Sequence, residues 1–267
     1  MVSVNLGGSQ RVLKLPCMLE SEHNSGPEAG VAGQFATTHW SVVLLAGEND
    51  STRAAEALEK LCRTYWYPLY AFVRREGHSP EEAADLTQEL FSRLLVDNSL
   101  ARVSRSKGRF RSFLLACMKH LLANEWHRSQ TQKRGGGAVH FSLDAIAAED
   151  RYQLDPPDAS TPETIFDRRW AEALVDSVTS RLQAEFAIAD MAARFETLKV
   201  FLLADEEPAS YGQTAQKLGL TESAVKSAIH RMRQRYGELL RAEIAHTVVS
   251  PQEMEEELRY FVAVLSR

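Results

Sequence analysis

Hydrophobic residues recur at three- and four-residue spacing along most of the chain, and this pattern predicts helices. It begins near Trp40, dominates from Thr52, breaks over 129–162 and resumes from Pro162 almost to Arg267. Val, Ile, Thr and aromatic residues do not alternate over any strand-length stretch. We therefore predict an all-α protein.

Two stretches without helical pattern divide the chain into parts. Residues 1–36 are rich in Gly, Ser and Glu, which predicts a mobile N-terminal extension. The second break contains Gly135-Gly136-Gly137 and several prolines, which do not continue a helix, so we predict a flexible linker over 129–162. The predicted helical parts are a domain at 37–128, a domain at 163–246 and an amphipathic helix at 247–267.

The clearest helix start in the first domain is Ser79-Pro80-Glu81-Glu82. Ser79 can cap the helix, Pro80 suits its first position, and Glu82 completes a capping box. The apolar face that follows contains Ala83, Leu86, Leu90, Phe91 and Leu94. The opposite face carries Asp85, Gln88, Glu89 and Arg93, and it is either a solvated surface or a docking surface for a basic partner helix. An aromatic-rich stripe from Leu58 to Val73 predicts core.

The next segment, 102–134, is strongly basic. It holds nine Lys or Arg and one acid, Glu125, although the whole chain has a net charge of −5. Such local clustering indicates contact with a polyanion. Phe110, Phe113 and Trp126 are interleaved with these cations, a combination that suits single-stranded DNA because bases stack on rings while cations hold phosphates. Helical spacing also makes Phe113 a core candidate, so Trp126 is the better base-contacting candidate.

The second domain contains a helix-turn-helix pattern over 210–226. Ser210 and Thr221 can each cap a helix, and Gly219 supplies the positive φ that ends the first one. The second helix should bury Val225, Ile229, Met232, Tyr236 and Leu240. Its opposite face then presents Ser223, Ser227, His230, Arg231 and Gln234, flanked by Lys226 and Arg235. Hydroxyl, amide and cationic groups are those that read base edges and hold phosphates, so we favour DNA binding over an ordinary basic surface helix.

Composition narrows the class of protein further. With 44% hydrophobic and 25% charged residues, the chain has the composition of a soluble globular protein. The three cysteines form no metal-ligand spacing and no disulfide framework, and we expect no cofactor and no metal. No secretory signal or membrane-spanning run is present, so we expect a cytoplasmic protein. No Walker loop, GxSxG or HExxH motif indicates an enzyme.

The order of these features resembles extracytoplasmic-function sigma factors of bacterial RNA polymerase, over about 40–245. Asp85-Leu86-Thr87-Gln88-Glu89-Leu90-Phe91 is similar to the family's helix that docks on the β′ clamp of core RNA polymerase. The resemblance thus implies polymerase contact or support for Asp85, Gln88, Glu89 and Phe91. It also implies promoter DNA as a partner, with the β flap and an anti-sigma or other regulatory protein as further partners.

The same resemblance assigns two DNA-binding segments. Residues 108–128 look like the segment that melts and reads the minus-ten element, which implies DNA contact for Arg109, Phe110, Arg111, Lys119, Asn124, Trp126, His127 and Arg128. A loop at 97–109 would hold a flipped base, and the linker would run along the RNA exit path. The helix-turn-helix resembles the reader of the minus-thirty-five element, implying contact for Thr221, Ser223, Lys226, Ser227, His230, Arg231, Gln234 and Arg235.

The chain departs from the family pattern between Trp170 and the helix-turn-helix, where a long run replaces a short Leu-Pro hinge. Residues 37–41 and the tail after His246 look like marks of a subgroup. The alternative is a conventional helix-turn-helix regulator that acts without binding core polymerase, which predicts tight binding by the isolated protein, usually as a dimer on a palindrome.

Overall fold

The computed structural model describes residues 2–6, 9–13, 51–96, 109–131, 145–154, 160–203, 210–248 and 250–266. Within these ranges only the backbone is described at both strands and at 51–58, 60–61, 95–96, 126–131, 145–146 and 203. Residues 14–36 of the predicted extension, the motif at 37–41, most of the predicted base-holding loop and the three linker glycines lie outside the described residues.

The described residues are almost entirely helical, as predicted. The helices are α1 (Ser51–Arg75), α2 (Pro80–Val96), α3 (Phe110–Thr131), α4 (Ala145–Gln153), α5 (Pro162–Ile188), α6 (Ala192–Leu198), α7 (Val200–Leu203), α8 (Tyr211–Leu218), α9 (Glu222–Ala245) and α10 (Pro251–Leu265).

The expectation that the chain has no strand is wrong at its start. Val2–Leu6 (β1) and Ser9–Leu13 (β2) form an antiparallel pair in which Leu6 lies opposite Ser9. Val2, Val4 and Leu6 do alternate with polar residues, and a two-residue Gly7-Gly8 connection is a hairpin signal. Each strand has only 5 residues, which is too short to produce a sustained period along the sequence.

The first three helices bury the apolar stripes that the sequence predicts. Tyr65, Leu69 and Phe72 of α1 and Leu114 of α3 are fully buried, and Leu90 of α2 is buried beside them. Trp66 and Tyr70 stack with ring centroids 5.3 Å apart. The aromatic stripe of α1 is therefore core.

A short helix lies inside the segment predicted to be a flexible linker. Glu149 of α4 accepts hydrogen bonds from Arg74 Nε at 2.8 Å, Arg74 Nη2 at 2.9 Å and the Tyr70 hydroxyl at 2.5 Å. These bonds attach α4 to α1. Nine residues between glycines and prolines make a weak periodic signal, which explains why the sequence pattern missed this helix.

The run that departs from the family pattern forms most of helix α5 together with α6 and α7, and α5 occupies the centre of the fold. It starts at a Thr161 cap with Pro162 in the first turn, and it buries Phe166, Trp170 and Val178 against neighbouring helices. It packs against α1 on one side and α9 and α10 on the other. A single core cluster therefore includes residues from both halves of the chain.

Candidate polymerase and nucleic-acid interfaces

The helix-turn-helix forms through the caps that the sequence predicts. The Ser210 hydroxyl accepts a hydrogen bond from Gln213 N at 3.2 Å, and the Thr221 hydroxyl accepts one from Ala224 N at 3.2 Å. Gly219 has φ 63°, and the following Leu220 N–H donates to Ala215 O at 2.9 Å. Only glycine adopts this left-handed conformation at little cost, so the turn angle depends on Gly219.

The second helix of the motif has one buried and one exposed face. The buried residues are Val225, Ile229, Met232, Tyr236 and Leu240. The exposed residues are Ser223, Ser227, His230, Arg231 and Gln234. This division is the one that the helical period predicts, and it leaves a polar and basic face on a single α-helix, the kind of element that a major groove admits.

The flanking residues of this face differ in their contacts. The Lys226 ammonium lies 5.2 Å from the Tyr211 ring centroid, while Thr221 uses its hydroxyl as a cap. Arg235 forms a bidentate pair with Glu185 at 2.8 and 2.9 Å and also bonds Glu238 at 2.8 Å. The hydrogen bonds that Arg235 donates to the Glu185 carboxylate raise the pKa of Arg235. Arg235 would have to leave Glu185 to reach a phosphate.

Helix α2 presents a polar face next to a tightly capped start. Ser79 and Glu82 exchange hydrogen bonds at 3.0 and 3.2 Å, which forms the predicted capping box. The backbone N–H of Ser79 is the main cause of the lowered pKa of Glu82. The cap fixes where α2 begins, and burial of its apolar face decides which residues face outward.

The four predicted polymerase-contacting residues take different positions on this helix. Asp85 is exposed, Gln88 and Glu89 are half-buried, and Glu89 forms an ion pair with Arg93 one turn later. Phe91 is buried in the core, so its side chain is not part of the exposed surface of α2.

The predicted minus-ten residues at the start of α3 lie against the C-terminal half of the chain. Arg111 Nε lies 2.6 Å from Glu257 Oε1, and its Nη1 lies 2.7 Å from Asp167 Oδ1. Arg109 contacts the same helix α10, with Nε 2.8 Å from Glu257 Oε2 and Nη2 3.2 Å from Glu256 Oε2. Lys119 Nζ lies 2.6 Å from Glu163 Oε1 of α5.

Burial separates these residues into two groups. Phe110 is fully buried and meets Tyr65 edge to face at 5.5 Å, and the Arg111 side chain is 7% exposed. In this arrangement both contact protein and not solvent. Lys119 and Asn124 are exposed. Trp126, His127 and Arg128 continue the backbone of α3, and their side chains lie outside the described part of the chain.

The acidic partners of α3 were not among the predicted site residues. Glu256, Glu257 and Asp167 surround the two arginines, and the Tyr260 hydroxyl donates to Asp167 Oδ2 at 2.5 Å. The Tyr260 ring also lies 4.1 Å from the Arg111 guanidinium carbon. The run of acids at the start of α10 was the available sequence signal, but it does not reveal which cations it meets.

Two further properties of the described residues concern cofactors and membranes. Within the ranges given above, no group of three His, Cys, Asp or Glu side chains is arranged to hold a metal ion. Burial raises the pKa of the Cys62 and Cys117 thiols to about 11 each. Among the described helices, none combines the length and apolar character required to span a bilayer.

Comparisons with known proteins match both halves of the chain. The family model described as Sigma-70 region 2 matches residues 61–132, and the model described as Sigma-70, region 4 matches residues 196–235. The ferric citrate uptake sigma factor FecI of Escherichia coli (strain K12) is 24% identical over 179 residues, which cover 67% of this chain and 88% of that protein. No solved structure matches the chain.

Proposed function

Since this chain is a sigma factor of the extracytoplasmic-function type, which acts in transcription initiation, we propose that it binds core RNA polymerase and directs promoter recognition and DNA melting. The observation that carries the proposal is the exposed face of α9, held by a capped helix-turn-helix in the same chain as the polar face of α2. A DNA-reading helix alone suits any regulator. The combination with a region 2 surface favours a polymerase subunit.

For promoter recognition, α9 enters the major groove at the minus-thirty-five element. Arg231 and His230 are the central side chains of its exposed face, and Ser223, Ser227 and Gln234 extend it along the helix. Arginine makes bidentate contacts with guanine, while hydroxyl and amide groups suit several base edges. Lys226 lies at the rim of this face, where it is suited to a phosphate.

For polymerase binding, the polar face of α2 docks on the β′ clamp. Asp85 supplies an exposed negative charge, and Glu89 adds a second one turn away. Rigid capping of α2 reduces the entropy lost when this face binds. The C-terminal domain contacts the β flap, and an anti-sigma protein is a further candidate partner.

For melting, α3 captures the non-template strand of the minus-ten element. Cationic side chains hold phosphates and Trp126 stacks with a base, so that stacking on protein offsets part of the cost of unpairing. The polymerase performs the chemistry, and sigma factors are not a class of enzyme. Because the cations of α3 and α9 bind DNA phosphates in this proposal, promoter binding should weaken steeply with salt.

Charge reversal on α2 tests the proposal. Asp85→Lys with Glu89→Lys should abolish co-purification with core polymerase, because like charges then face the clamp. Glu76→Lys, on the exposed turn that precedes α2, is the matched control and should bind as the wild type does. Equal binding of core polymerase by the double variant and the wild type would refute the proposal that this face of α2 binds polymerase. A wild-type protein that binds an operator as a dimer and has no affinity for polymerase would favour a conventional regulator.

A further inference from the structure

The described cations between residues 109 and 125 are neutralised by acids from the other half of the chain. Arg109 and Arg111 pair with Glu256, Glu257 and Asp167, and Lys119 pairs with Glu163. These are three of the residues proposed to act on promoter DNA. A cation whose charge is already neutralised by a carboxylate at 2.6–2.8 Å attracts a phosphate less strongly, and the donors used in that pair are occupied.

Helix α10 supplies the main part of this acidic surface. Its sequence contains Glu253, Glu255, Glu256 and Glu257 with one base, Arg259. Glu257 is fully buried, and its two oxygens are shared by Arg109 and Arg111. An acidic turn therefore lies against the cationic start of α3, the segment that is proposed above to bind a nucleic-acid backbone.

A backbone hydrogen bond and an aromatic contact hold α10 close to α3 and α5. Phe110 N donates to Thr247 O at 3.2 Å, which joins the first residue of α3 to the turn between α9 and α10. Trp170 of α5 meets Phe261 of α10 edge to face at 6.1 Å. The acidic helix is thus packed in place by apolar contacts as well as by charge.

This arrangement is too compact to read both promoter elements. From the Phe110–Thr247 contact, Lys119 lies nine residues along α3 and His230 lies seventeen residues back along the chain through α9. At 1.5 Å per residue, with about 5 Å added across the contact, their separation is at most about 45 Å. Elements centred at minus ten and minus thirty-five are about 85 Å apart at 3.4 Å per base pair. The described conformation must open before α3 and α9 can occupy both.

We propose that α10 is an autoinhibitory helix that covers the strand-capturing surface of α3 in the free protein and is displaced when core polymerase binds. The inference rests on the proposed function, and it specifies how the minus-ten surface is regulated. Its physical basis is competition, because Glu257 and the DNA phosphates bind the same guanidinium groups. The free protein therefore binds single-stranded DNA in proportion to its small open fraction.

A matched pair of variants on α10 tests the proposal in the full-length protein without polymerase. Glu257→Gln removes the buried charge, and Glu255→Gln removes an exposed charge two residues away. With a fluorescently labelled single-stranded oligodeoxynucleotide of mixed sequence, Glu257→Gln should bind about tenfold more tightly than wild type, because the open fraction increases. Glu255→Gln should bind as wild type does. Equal affinities for a folded Glu257→Gln variant and the wild type, or equal strengthening by both variants, would overturn the proposal.

Hydrogen exchange on the wild-type protein provides a second measurement that needs no variant. Backbone amides of α10 should be protected in the free protein and lose protection when core polymerase is added. Unchanged protection in the complex would overturn the proposal. Failure to form any complex with polymerase would instead refute the proposed function, and the oligonucleotide comparison would still decide whether α10 covers α3.

Discussion

The Arg111 guanidinium and the Glu257 carboxylate form a buried ion pair between α3 and α10, with Nε 2.6 Å from Oε1. Their side chains are 7% and 0% exposed, and Asp167 completes the set at 2.7 Å from Nη1. This pair joins the proposed minus-ten surface to the C-terminal helix.

Loss of one partner should destabilise the fold strongly. Glu257→Ala leaves the Arg111 charge buried with only Asp167, which costs about 3–5 kcal/mol of unfolding free energy. Urea denaturation measures this, and Glu255→Ala on the exposed face of α10 should change stability by less than about 0.5 kcal/mol. Comparable losses of unfolding free energy in the two variants would show that the buried ion pair stabilises the fold no more than an exposed glutamate does.

The conformation of Gly219 should matter for DNA reading as well as for stability. Gly219→Ala places a side chain at φ 63°, which costs about 1–2 kcal/mol and changes the turn that aims α9. Gly77→Ala is the matched control, because Gly77 has φ 98° and, like Gly219, open space around it. Thermal unfolding should show both losses, whereas only Gly219→Ala should impair promoter binding by the holoenzyme.

Two cations of α9 should have distinct effects on specificity. Arg231→Ala should reduce discrimination at one base pair by about 1–3 kcal/mol, since a bidentate base contact is lost. Lys226→Ala should weaken all promoter sequences alike and reduce the salt dependence of binding. Binding of the holoenzyme to a set of single-base promoter variants distinguishes these outcomes, and a uniform effect of Arg231→Ala would contradict its assignment as a base reader.

Acid should weaken the attachment of α4. Hydrogen bonds from Arg74 hold the pKa of Glu149 at about 2, below its ordinary value of 4.5. Because the folded-state pKa is lowered, this contribution to stability is complete above the unfolded-state value and is lost as pH falls from about 4.5 towards 2. Unfolding titrations across that range should show a smaller loss for Glu149→Gln, which has no carboxylate to protonate; equal slopes would contradict the assignment.

Local features of the fold could be predicted from the sequence because they depend on neighbouring residues. The capping box joins Ser79 and Glu82, which are three positions apart, and the turn at Gly219 joins residues three to five positions apart. The apolar stripes followed from helical periodicity for the same reason. The roles assigned to the exposed residues of α2 and α9 remain predictions.

Long-range pairing could not be predicted in this way. Arg111 and Glu257 are 146 residues apart, and no local pattern indicates that an acidic C-terminal helix meets a basic one in the first domain. The burial of Phe110 could not be predicted for the same reason. Its ring lies between cations in the sequence, which suggested DNA contact, but in the fold it is fully buried against Tyr65. Charge composition identified the cations of α3, and tertiary packing determines which of them are accessible.

Transcription from defined DNA with purified core polymerase tests the central claim most directly. Run-off transcription on genomic fragments should yield discrete transcripts when core polymerase and the wild-type protein are both present, and none when the protein carries Asp85→Lys with Glu89→Lys. The Glu76→Lys control should give the same transcripts as wild type. Absence of any promoter-specific transcript with the wild-type protein, under conditions in which the core enzyme elongates normally, would contradict its function as a sigma factor.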